Sequence, residues 1–86
     1  MASRMIYKFS IAGDLRRLDK PTARRVLEKL ERVLSGNPDM GIPLTGEFRG
    51  LFKLRVGDYR VIYATTKDGV LVLRIGHRKN VYLKTP

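Results

Sequence analysis

Three cations, Lys53, Arg55 and Arg60, flank a Gly57-Asp58 pair in a run, Gly50 to Tyr63, whose only carboxylate is Asp58. Gly-Asp between two alternating apolar and polar segments suits a two-residue type II′ turn with glycine at the first central position. That turn sets Val56 opposite Tyr59, Arg55 opposite Arg60, Leu54 opposite Val61, Lys53 opposite Ile62 and Phe52 opposite Tyr63. Side chains alternate across a strand, so Phe52, Leu54, Val56, Tyr59, Val61 and Tyr63 share one apolar face, and Lys53, Arg55 and Arg60 share the other. Like charges directly opposite each other on a sheet are destabilising by some tenths of a kcal/mol. A polyanion between them reverses the sign. One lysine or arginine on a strand is ordinarily just solvated; three converging on one face point to binding phosphate.

Composition agrees. The 86 residues hold 18 Lys and Arg against 8 Asp and Glu, a net charge of +10, which repels the compact state from itself and attracts phosphate at long range. Nucleic acid is the leading partner class. A membrane is the competitor, but no apolar run approaches the ~20 residues of a spanning helix, and no signal peptide precedes the first strand, so a cytoplasmic protein with no membrane partner is expected. With no Cys and one His, His77, structural zinc, disulfides and Cys/His or paired-histidine catalysis are excluded. The length fits one domain, 1–86, near the small end of what folds on one core.

The elements that position the cations follow in order. Arg4 to Phe9 reads as a first strand. Ser10 is the N-cap of a short helix with Asp14 in its first turn and Ile11, Leu15 and Leu18 as its buried stripe. Asp19-Lys20-Pro21 restarts the chain as a second helix, buried through Ala23, Val26, Leu27, Leu30, Val33 and Leu34, with Arg24, Arg25, Glu28, Lys29, Glu31 and Arg32 largely opposite. Glu28 stands four residues before Arg32, a favourable pair, and Gly36 at C′, Asn37 and Pro38 end the helix. Asn37 to Gly50 is a loop, with Leu44 and Phe48 at the core edge. After the hairpin, Val70 to Gly76 is apolar on both faces until Arg74 and should lie inside the sheet.

The turn before that strand decides its parity. A two-residue Asp-Gly loop would put Leu71, Leu73 and Ile75 beside Lys53 and Arg60. A three-residue loop of Lys67, Asp68 and a left-handed Gly69 puts those residues on the apolar face, and Arg74 and Arg78 with Lys53, Arg55 and Arg60. The second segregates charge from core and is the expected arrangement. The segment His77-Arg78-Lys79-Asn80-Val81-Tyr82 then stacks cations and presents one aromatic. Tyr82 is either a core anchor or a platform for an unpaired base.

Leu44-Thr45-Gly46, the run Phe52 to Tyr63 and Gly76 to Tyr82 together resemble the RelE/ParE toxin superfamily of toxin–antitoxin modules, over nearly the whole chain. In the RelE branch the resemblance implies ribosome-dependent cleavage of mRNA in the A site, by attack of a ribose 2′-hydroxyl on the neighbouring phosphate, without metal or cofactor. By position it implies that Lys53 activates the hydroxyl, Arg60 holds the scissile phosphate, Arg78 lies near the leaving group and Tyr82 stacks on or orients the substrate. Arg55, Arg74 and Lys79 would bind substrate phosphate. Arg55 stands where RelE-like members commonly carry a second lysine, and an arginine cannot act as a base. His77 is a candidate acid or base. The implied partners are a cognate antitoxin, the ribosome and mRNA.

Two rivals differ in class: a ParE-like inhibitor of DNA gyrase on the same fold, and a non-catalytic basic RNA- or ribosome-binding protein, in which Lys53→Gln would leave binding nearly intact. The expected fold is α+β, in the order β-α-α-β-β-β. A helix hairpin packs on one face of a four-stranded, mostly antiparallel sheet, the first strand lies at an edge beside the last, and the cations occupy the other face.

Overall fold

The computed structural model describes residues 4–79 and 81. The chain runs β1 (Arg4–Tyr7), α1 (Ile11–Arg16), α2 (Lys20–Gly36), β2 (Ile42–Pro43), a 3-10 turn (Gly46–Phe48), β3 (Phe52–Val56), β4 (Tyr59–Thr65) and β5 (Gly69–His77). The sheet order is β1-β5-β4-β3-β2, with β1 parallel to β5 and the remaining pairs antiparallel. The α+β class, the inner position of β5 and the edge position of β1 match expectation. The sheet has five strands rather than four because Ile42 and Pro43 pair with Lys53 and Phe52, an edge position that tolerates proline.

The β3–β4 hairpin forms in the expected register at all five pairs. Gly57 takes φ 61°, and no described residue other than glycine has a positive φ, the signature of a type II′ turn. The next turn differs. Its loop is Lys67-Asp68, closed by reciprocal backbone hydrogen bonds between Thr66 and Gly69, N···O 2.7 and 3.3 Å. The Thr66 hydroxyl draws the turn together by accepting the Asp68 and Gly69 N–H groups at 3.2 and 3.0 Å. Gly69 also lies so close to Arg4 that a Cβ there would overlap the Arg4 backbone.

The parity shift expected at the turn occurs further along. Tyr63 pairs with Val72 but Ile62 pairs with Arg74, leaving Leu73 as an extra residue in a β-bulge. Val70, Val72 and Ile75 therefore enter the core with Val61 and Tyr63, whereas Leu71 and Leu73 do not, a correction to the expected set in which only Ile75 stands.

The helices cover the apolar face. Val26, Leu30 and Leu34 of α2 are buried against the sheet, with Leu27 and Val33 beside them, and α1 contributes Ile11, Leu15 and Leu18. Asp19 caps α2 by accepting the Thr22 hydroxyl at 2.6 Å and the Thr22 N–H at 3.3 Å, contacts that hold its carboxyl below the usual range. Two cap details depart from expectation. Ser10 occupies the N-cap of α1 but makes no side-chain cap bond. Gly36 is the last residue of α2 without a left-handed φ, and Asn37 closes the end by donating its N–H to the Val33 carbonyl.

Tyr63 pins the loop after α2. It is fully buried, stacks on Phe52 with centroids 5.4 Å apart, accepts the Gly41 N–H at 2.8 Å and donates to the Pro38 carbonyl at 3.0 Å. A side chain at Gly41 would collide with that hydroxyl. Burial raises the Tyr63 pKa above the ordinary phenol value. Tyr7, bonded to Glu31 at 2.6 Å, is raised by burial and then by that hydrogen bond and charge. Tyr63→Phe should destabilise the protein by about 1–3 kcal/mol in urea unfolding, because the Gly41 N–H and Pro38 carbonyl lose their partner. The protonated phenol's contribution should be intact below the unfolded value of about 10 and decline as pH rises through the higher folded value. Tyr63→Phe should accordingly lessen the alkaline loss of stability.

Candidate nucleic-acid interface

The hairpin register builds the site on the sheet face away from the helices. One cross-strand row there is Ile42, Lys53, Ile62 and Arg74, and the next is Arg55, Arg60 and Gly76. Lys53 is half-buried and Arg55 exposed, whereas Arg60 retains only 8% of its accessible surface. The Arg60 Nη1 donates to the carbonyls of Gly57 at 2.8 Å and Tyr59 at 2.9 Å. Its guanidinium is thus fastened to the turn at one nitrogen, which leaves Nε and Nη2, the edge that suits a phosphate bidentately.

The floor between these cations is apolar. Ile62 has no accessible surface, although it lies outside the helix-side core. Beyond β5 the chain turns back: Val81 donates its N–H to the His77 carbonyl at 2.9 Å, is fully buried, and packs where a Cβ on Gly76 would meet it at 3.5 Å. Partial removal from water strengthens each remaining charge–phosphate attraction, since the effective dielectric falls. Arg78 donates its backbone N–H to the Asp58 carbonyl at 2.8 Å, which fastens the exposed pair Arg78 and Lys79 to the same turn as Arg55 and Arg60.

Arg74 keeps the expected face, opposite Ile62, but its guanidinium is engaged by α1, and His77 lies on the other face. Arg74 extends to α1, where its Nη1 lies 3.6 Å from Asp14 Oδ1, and its side chain is 13% exposed. The Leu73 bulge lies immediately before it, and the Asp14 carboxylate holds it. The buried Nε of Arg74 has no hydrogen-bond partner. His77 pairs with Tyr59, an edge-to-face contact at 5.6 Å, on the opposite face from Arg60. Its Nδ1 accepts the Lys79 N–H at 3.1 Å, so the ring proton is on Nε2. Tyr82 lies outside the described residues.

Asp14 carries more than its sequence position suggested. It is 4% exposed and accepts the Ile75 N–H at 3.0 Å through Oδ2, so one carboxylate serves the bulge backbone and Arg74 together. The signal was present: Ile11, Asp14, Leu15 and Leu18 form one helical stripe, and an acid in an apolar stripe needs a partner. Among the described residues no three His, Cys, Asp or Glu side chains cluster as metal ligands, and no helix is long and apolar enough to cross a membrane.

Known proteins share this fold. Residues 6–82 match the family described as "ParE toxin of type II toxin-antitoxin system, parDE". The chain is 38% identical over 79 residues to the toxin RelE of Mycobacterium tuberculosis, spanning 87% of this chain and 80% of that protein. It superposes on the toxin–antitoxin complex RelBE2 from M. tuberculosis with a TM-score of 0.81 at 29% identity, over 91% of this chain and 100% of that one. For the archaeal RelE–RelB complex from Pyrococcus horikoshii the values are 0.63, 30%, 91% and 97%. The chain belongs to the RelE/ParE superfamily of type II toxin–antitoxin toxins. Within it, the chain is of the RelE type.

Replacing Asp14 by Ala should cost about 3 kcal/mol or more, because a mostly buried guanidinium and the Ile75 N–H both lose their acceptor. Combining it with Arg74→Met should restore part of that loss and not all, since the Ile75 N–H stays unpaired. Urea denaturation of the single and double variants measures both.

Proposed function

We propose that the protein is a ribosome-dependent endoribonuclease that cleaves mRNA in the A site and thereby halts translation. The observation that carries this reading is the set of Lys53, Arg55 and turn-anchored Arg60 on one sheet face, with no carboxylate among them and with Arg78 tied to the same turn. A 2′-hydroxyl attack on the neighbouring phosphate forms the 2′-O–P bond and breaks the P–O5′ bond. The 2′-hydroxyl gives up one proton and the 5′-oxygen gains one, so no net proton is consumed.

Lys53 takes the hydroxyl proton. Arg60 and Arg55 neutralise the charge that accumulates on the pentacoordinate phosphorus, where fixed donors over an apolar floor act with little reorganisation. Arg78 lies toward the leaving 5′-oxygen, Lys79 holds an adjoining phosphate, and Tyr82 orients the base. His77 donates through Nε2 if the bound strand crosses the end of β5. No step calls on a metal. Substrate positioning falls to the ribosome, which supplies the orientation that a bare cation cluster lacks.

The reading includes a cytoplasmic site of action and a cognate antitoxin, because relatives of the same fold are described in complex with RelB. The cleft lined by Tyr7, Phe9, Ala12, Leu15 and Leu27, with Phe9 fully exposed, offers an apolar seat for it. A second reading, inhibition of DNA gyrase, draws support from the ParE description of the matching family.

In vitro translation followed by primer extension separates them. Under the nuclease reading, new 5′ ends appear at A-site codons only when ribosomes are present, and Arg60→Ala lowers the cleavage rate about 10²-fold or more, with Lys53→Ala also severely impaired. Intact mRNA, together with loss of gyrase supercoiling activity, would establish the second reading instead.

A further inference from the structure

From the helix side of the hairpin turn we infer a second RNA-backbone site, in the cleft between α2 and the β3–β4 turn, which binds phosphates of the ribosome-bound RNA flanking the cleavage site. This rests on the nuclease reading for its partner. The cleft is lined by Arg25, Glu28, Lys29 and Arg32 of α2 and by Val56 and Gly57 of the turn. Positions 25, 28, 29 and 32 form one helical stripe, with Arg25 and Arg32 about 10 Å apart along the axis. Three cations thus face one carboxylate. Arg25 and Lys29 are a like-charge pair at i, i+4, an arrangement unfavourable to an isolated helix.

Glu28 does not neutralise them. Among the described residues the one ion pair within 4 Å is Arg74–Asp14, so the pairing of Glu28 with Arg32 that their spacing invites is not closed. Continuity with the first site argues for RNA over an acidic protein. The Gly57 backbone is the wall between the two surfaces: its carbonyl anchors Arg60 on one side, and the residue lines the α2 cleft on the other. A Cβ built on Gly57 meets nothing within 4 Å, so a backbone strand can pass over the tip of the hairpin. One polyanion then meets Arg55 and Arg60 before the turn and Arg25, Lys29 and Arg32 beyond it.

Binding of the full-length protein to ribosomes, programmed with an mRNA bearing 2′-deoxyribose at the A-site codon to prevent cleavage, tests this between 50 and 200 mM salt. Arg25→Gln/Lys29→Gln/Arg32→Gln should weaken binding at least tenfold and reduce the slope of log K against log salt by about 2. The same number of charges removed elsewhere, by Arg4→Gln/Arg16→Gln/Arg17→Gln, should reduce it by less than 1. The urea midpoint of the cleft variant should be no lower than wild type. If it does fall, Glu28→Gln becomes the deciding variant, expected to bind roughly threefold tighter. Equal effects of the two triple variants, or unchanged binding by Glu28→Gln, would overturn the cleft site while leaving the nuclease reading standing. Ribosome binding that persists while affinity for polyglutamate is lost would assign the cleft to an acidic protein. A wild-type protein that does not bind ribosomes would remove the nuclease reading and the cleft site together.

Discussion

Everything on the open face depends on a two-residue turn that holds two arginines opposite each other. Gly57 supplies the positive φ, and the type II′ geometry sets Arg55 across from Arg60. A slip of one residue would send Lys53, Arg55 and Arg60 toward the helices and turn Leu54 and Val61 outward. The facing apolar set makes that slip prohibitive, since Leu54, Val56, Val61 and Tyr63 are all buried in the core. The hydrophobic face therefore fixes the register, and the register imposes an electrostatic cost that folding alone does not relieve. Arg60 partly relieves it internally by bonding the turn carbonyls, and a bound phosphate would relieve the rest.

Arg60 and Arg74 show two fates for a largely buried guanidinium. Arg74 is held by Asp14, beside the carboxylate's contact with the β5 backbone, and binds α1 to the sheet. Arg60 has carbonyl partners and, among the described residues, no carboxylate within 4 Å, so its positive charge is left without a paired anion. That contrast separates a structural arginine from one suited to an anion. Across the molecule the +10 charge is left almost unneutralised by short ion pairs among the described residues, which favours rapid, salt-sensitive association with a polyanion.

The hairpin and α2 were legible in the sequence because each is set by local chemistry: a glycine turn with period-two alternation, and a proline-led helix with a 3.6-residue stripe. The parity of β5 was not legible in detail. It depends on Thr66 capturing the turn N–H groups and on a bulge at Leu73, and neither leaves a period in the sequence. Arg74 falls on the expected face, opposite Ile62, but its tie to α1 was not foreseen, because Asp14 was read as a helix-dipole residue when its partners lie 60 and 61 positions away. Ile42-Pro43 escaped notice because two residues are too few to show alternation. The cations nearest the turn were found because cross-strand neighbours in a two-residue hairpin are determined by counting.

The central claim is that the Arg55–Arg60 pair trades stability for phosphate binding. One variant, Arg55→Glu, measured for both urea stability and A-site cleavage, tests it most directly. An opposite-charge pair across the strands should raise stability by roughly 0.2–1 kcal/mol, while cleavage of ribosome-bound mRNA is lost. A variant that gains no stability, or one that cleaves mRNA at the wild-type rate, would contradict the claim.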